Sequence, residues 1–106
     1  MRLPLTLRRV VGQSMWPTLA SEQILIISRW TKPQLGSVVV ARVGGREYVK
    51  RVVSIEDGDY ILLGDNYFHS VDSREFGAVG PAQIVGVALG QPRTFSTYYR
   101  AAGQAG

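Results

Sequence analysis

The sequence predicts a mainly β protein built as one small domain, and three observations carry that expectation. Short aliphatic and β-branched runs recur along the 106 residues, turn-forming Gly and Asp clusters separate them, and no stretch sustains a 3.6-residue apolar period over three turns. The runs place strands at Gln23 to Ser28, Ser37 to Val43, Glu47 to Ile55, Tyr60 to Leu63 and Gln83 to Leu89. Gly44-Gly45 supplies the positive backbone angles of a tight hairpin, and Glu56-Asp57-Gly58-Asp59 does the same for the next pair. Three consecutive strands therefore form a meander. Two segments fall outside the scheme: Gly12 to Leu19, where Pro17 forces a turn or a single helical turn, and Gly64 to Pro81, a long polar loop of the kind that carries function. The chain divides into a basic segment over 1–9, a β core over 10–90 and a loosely held tail over 91–106.

Composition excludes several classes. With 45% hydrophobic and 19% charged residues the chain is of ordinary globular make-up. It has no cysteine, which removes disulfide scaffolds, thiol nucleophiles, zinc fingers and thiolate-bound clusters. His69 is the sole histidine, so neither a zinc enzyme nor any other metal site is expected, and no cofactor motif stands out. The longest aliphatic stretches are four residues, as in Ile24-Leu25-Ile26-Ile27, too short to span a bilayer. The apolar part of Met1 to Arg9 is too short for a secretion signal, so the reading is cytoplasmic, with membrane association as the alternative. The formal charge is +4, yet the basic residues are scattered, so a solvated surface is expected rather than a nucleic-acid partner. Ten of the twelve basic residues are Arg, which leaves Lys32 and Lys50 as candidates for any chemistry needing a neutral amine.

Lys50 lies in a strand pattern. Alternation puts Tyr48, Lys50, Val52 and Ser54 on one face and Val49, Arg51, Val53 and Ile55 on the other. Both faces are largely apolar, so one of Lys50 and Arg51 should lie against the core. A buried Lys loses hydration of its charged form, which lowers its pKa from about 10.4 by roughly 3 units and makes the amine a general base. The competing use of Lys50 is an exposed edge position that discourages aggregation. Ser14, in a turn after Gly12, is the matching nucleophile, with turn amides to stabilise an oxyanion; a turn-capping role is its ordinary alternative. A Ser-His-Asp triad would have to recruit His69, which is less well placed than the lysine.

Three segments together resemble the three boxes of type I signal peptidases, in the same order: Gly12-x-Ser14-Met15-x-Pro17-Thr18-Leu19; Tyr48-Val49-Lys50-Arg51-Val52-Val53; and Gly64-Asp65-Asn66-x-x-x-Ser70-x-Asp72-Ser73-Arg74-x-x-Gly77-x-Val79. The resemblance covers Val10 to Leu89, and the third box sets the chain apart from the related self-cleaving SOS repressors. It implies a signal-peptidase/SOS-repressor-like β core of short antiparallel strands and a Ser/Lys dyad, with Ser14 as nucleophile and Lys50 as general base. It further implies that Ser70 orients the lysine, that Asp72 and Arg74 hold the loop against the catalytic strand, and that Asp65, Asn66 and Ser73 belong to the structural loop of the site. Where some members carry a hydroxyl as second oxyanion donor this chain has Gly12, leaving backbone or water. Met15, Trp16, Val39 and Val52 are candidates for the substrate groove, with core packing as their other use.

The departures concern loops. Ala20-Ser21-Glu22-Gln23 and Gly36-Ser37 stand where the family favours Gly-Asp, Tyr67 replaces a frequent Arg, and only one short hairpin separates Lys50 from Gly64. The chain reads as a bare catalytic core without an anchor. Small unanchored members of the family trim the N-terminal leader of nickel superoxide dismutase. The expected partner is thus a protein substrate bearing a leader, with the nickel superoxide dismutase precursor as the leading candidate. A general signal peptidase lacking its own anchor, or a non-catalytic binding module of the same fold, are the alternatives. The small-x-small tail Gly103-Gln104-Ala105-Gly106 is a candidate for trimming.

Overall fold

A computed structural model of the chain describes residues 3–66 and 77–93. Six strands form one antiparallel sheet: β1 (Leu5–Arg9), β2 (Ile24–Ser28), β3 (Val38–Val43), β4 (Arg46–Glu56), β5 (Asp59–Leu63) and β6 (Ile84–Ala88), in the spatial order β1-β2-β6-β3-β4-β5. A 3-10 turn, Pro81–Gln83, leads into β6. The expected mainly β, small single domain is what forms. Five of the strands coincide with the predicted runs to within a residue or so, and β3-β4-β5 is the predicted meander.

Turn chemistry explains the meander. Gly44 and Gly45 both take positive φ, +59° and +80°, and Asp57 and Gly58 take +53° and +83°, so both hairpins close through two-residue turns whose twist matches that of the flanking strands. Between β2 and β6 the backbones approach closely at Gly86, where a Cβ would sit 2.5 Å from the Ser28 carbonyl oxygen and from Ile27 Cγ2. Only glycine fits that contact.

Strand β1 was not foreseen from the sequence. It pairs with β2 from Leu5↔Ser28 to Arg9↔Ile24. Its alternation runs opposite to expectation, because Leu5 and Leu7 point outward, 48% and 62% exposed, while Arg8 shares a face with the buried Leu25.

Residues directly opposed across a ladder share a face, and the register sorts the core into two clusters. Leu25, Ile27, Val38, Val40 and Ala88 line one face and are covered by Val10, Met15 and Leu19 from the segment after β1. Val39, Ala41, Val52, Tyr60, Leu62, Val79 and Val87 fill the other. In a flat sheet β1 and β4 would lie about 19 Å apart, four strand spacings. Yet Arg8 Nε donates to Glu47 Oε1 at 2.7 Å, so the sheet curls enough for side chains of its first and fifth strands to bridge the first cluster. That curl leaves a mouth between β1 and β4.

Lys50 and Arg51 correct an expectation. One of them was to lie against the core; both do, on opposite faces, with Lys50 only 2% exposed and Arg51 fully enclosed.

Candidate active site

The segment after β1 is a tight excursion anchored by its apolar residues. Gly12 opens it at φ +83°, and Leu19 N donates to Met15 O at 2.9 Å, closing one helical turn. Met15 and Leu19 plunge into the first cluster. This pins the loop from below and leaves Ser14 half-buried at its rim.

The loop is pinned a second time from the end of β5. Asn66 N donates to Ser14 O at 2.7 Å and Asn66 Nδ2 to Gln13 O at 2.9 Å, so one asparagine grips the backbone on both sides of the Ser14 amide. Thr18 Oγ1 donates to Asp65 Oδ2 at 2.5 Å. The same carboxylate receives Arg51 Nε on Oδ1 at 2.9 Å and Nη2 on Oδ2 at 2.8 Å, a two-pronged pair sealed from water. Arg51 Nη1 continues to the carbonyls of Gly36 and Pro92, each at 2.7 Å. Asp65 and Asn66 therefore hold the Ser14 loop by hydrogen bonds, and Arg51 ties that loop to strand β4 through Asp65.

Lys50 emerges from the middle of β4. Its cross-strand neighbour is Val39, and Tyr48 and Val52 flank it on the same face. Its Nζ stands 6.0 Å from the centroid of the Tyr48 ring. Ser14 and Lys50, 36 positions apart in the chain, line one cavity of about 260 Å³ in the mouth between β1 and β4, bounded by residues 9–14 and 46–50. A half-buried serine on a pinned turn and a lysine that is 2% exposed thus border one space.

Glu47, which the sequence analysis did not single out, also borders this cavity. Its carboxylate receives Arg8 at 2.7 and 3.2 Å and Arg42 at 2.8 Å, bonds that hold its pKa below the usual carboxylate value against the opposing effect of desolvation. Its alternation with the strand's apolar residues gave no hint of a partner 39 positions away. Arg51 and Thr18 were likewise unassigned; the one sequence signal for Arg51 was the charge placed in an apolar strand.

Of the proposed groove residues, Trp16 is 57% exposed beside Ser14, while Met15, Val39 and Val52 are enclosed in the two core clusters, the other use foreseen for them. Ser70, Asp72, Ser73, Arg74 and His69 lie outside the described residues, as does the tail segment 103–106. Among the described residues no cluster of three or more His, Cys, Asp or Glu could hold a metal ion, and no helix is long and apolar enough to cross a membrane.

Fold and site define a class, the type I signal peptidase-like proteins, in which a Ser-bearing loop packs beside a Lys-bearing strand. The chain belongs to the Peptidase S24-like family, whose model matches residues 4–89, from just before β1 to the end of β6. It is also 40% identical over 42 residues to the mitochondrial inner membrane protease subunit 2 of Saccharomyces cerevisiae, a stretch that is 40% of this chain and 24% of that protein. The match thus spans about a quarter of that relative's length.

Proposed function

We propose that the protein is a serine endopeptidase of the signal peptidase type, cutting an N-terminal leader from a protein substrate. The observation that carries the reading is the burial of Lys50 in the cavity that Ser14 also lines. Burial withdraws water from an ammonium and so favours the neutral amine, which arginine could not supply. In the reaction Lys50 Nζ accepts the proton of Ser14 Oγ as the oxygen attacks the scissile carbonyl carbon. Backbone N–H groups of the turn stabilise the oxyanion. The C–N bond then breaks, Lys50 returns the proton to the leaving amine, and a water activated by the same amine hydrolyses the acyl-serine. On the resemblance, Ser70 has the role of orienting the amine, and Asp72, Ser73 and Arg74 that of holding the segment that carries it.

The substrate lies extended beside the site, with small side chains before the scissile bond. Exposed Trp16 is the groove candidate most open to such a strand. The specific substrate we propose is the nickel superoxide dismutase precursor, on the resemblance to small leader-trimming proteases.

Incubating the purified protein with the precursor and following its mass tests both levels. Release of the leader by the wild type and none by Ser14→Ala is the expected result. Cleavage of a general signal-peptide substrate but not of the precursor would replace the proposed substrate, and equal cleavage by Ser14→Ala would refute the assigned nucleophile.

A further inference from the structure

A second cavity, of about 290 Å³, lies apart from the one that holds Ser14 and Lys50, and it is lined by Arg8, Arg29, Arg42, Gln83, Ile84 and Val85 among others. We propose that it binds a phosphate group. The topology explains the convergence. Strand β6 runs between β2 and β3, so Ile84 and Val85 lie between the arginines of its two flanks: Arg29 at the end of β2 with Arg8 of β1 on one side, and Arg42 of β3 on the other. The described structure satisfies these cations only in part. Arg8 gives Nε and Nη2 to Glu47 and Nη1 to Thr6 Oγ1 and the Leu7 carbonyl, and Arg42 gives Nη2 to Glu47, which leaves its Nε and Nη1 for a ligand, whereas the Arg29 side chain makes no hydrogen bond or ion pair with any described residue. Among the described residues three guanidinium charges thus meet one carboxylate, an excess of two that matches a phosphate dianion.

Guanidinium forks present paired N–H donors at the spacing of phosphate oxygens, which a scattered set of lysines would not. Gln83 adds an amide at the rim: its Oε1 accepts from Gly80 N at 2.9 Å, which fixes the orientation of the side chain and directs Nε2 toward the Arg42 carbonyl, at 3.5 Å. The site takes the group either as inorganic phosphate or as a monoester headgroup on a lipid surface.

Calorimetric titration with inorganic phosphate, at ionic strength held constant with chloride, and flotation with phosphatidylcholine vesicles with and without phosphatidic acid separate the two sources. Saturable binding of inorganic phosphate assigns a soluble ligand, and capture only by phosphatidic acid vesicles assigns a headgroup. In either case Arg29→Gln and Arg42→Gln, two substitutions on different strands, should each weaken binding at least about tenfold, the loss of one charge-assisted contact. No binding in either arm, or affinity unchanged in both variants while their melting temperatures match the wild type, would overturn the proposal.

Discussion

Asp65 shows how one buried carboxylate can organise a site without reacting in it. It holds Arg51 with two bonds and Thr18 with a third, so the loop bearing Ser14 and the strand bearing Lys50 are referenced to one group. Removing it leaves the Arg51 charge enclosed and half-satisfied. Asp65→Ala should therefore cost about 3–5 kcal/mol of stability, and denaturant unfolding measures it. Glu47 is the second informative residue. Its folded pKa is lowered, so the stability it contributes is present above its unfolded value of about 4.3 and is lost as the pH falls through the lower folded value. Glu47→Gln should flatten the acid limb of the melting-temperature profile below pH ~4.3, and an unchanged limb would show that the Arg8 and Arg42 bonds do not persist in solution. Ser14 and Lys50 stood out in the sequence because a lone Lys in an apolar strand of an Arg-rich chain and a Ser in a glycine-opened turn are unusual residue choices, and both border one cavity. The grip of Asn66 on the Ser14 backbone was not, since hydrogen bonds across 52 positions leave no periodic trace.

At the scale of elements, legibility followed the apolar pattern. Strands β2 to β6 carry β-branched runs between turn residues, and the Gly44-Gly45 and Asp57-Gly58 turns take the backbone angles their composition implied. Strand β1 was missed because Leu5 and Leu7 face outward and Thr6 and Arg8 inward, so its alternation carried no sign of a core-facing strand. The close approach of β6 to β2 gives a test. Gly86→Ala would place a methyl 2.5 Å from the Ser28 carbonyl oxygen, so β2 must shift, at a cost of about 1–3 kcal/mol. Gly45→Val, forcing a β-branched residue to φ +80°, should destabilise the β3-β4 hairpin by about 1–2 kcal/mol, read as a lower denaturant midpoint with an unchanged slope.

At the largest scale, the described residues form a sheet curled enough for side chains of β1 and β4 to join, and the cavity bordered by Ser14 and Lys50 lies between those two strands. Curling is what brings two residues from different elements to one space, and it is the part least visible in a linear pattern. The central claim is that the enclosed amine at position 50 is the base that activates the hydroxyl at position 14. The most direct test is kcat/KM for leader cleavage by Lys50→Arg, with its melting temperature measured alongside. Arginine keeps the charge and most of the volume but cannot accept a proton, so a folded variant whose kcat/KM falls by about a thousandfold or more is the expected result. A folded variant that cleaves at the wild-type rate would contradict the account.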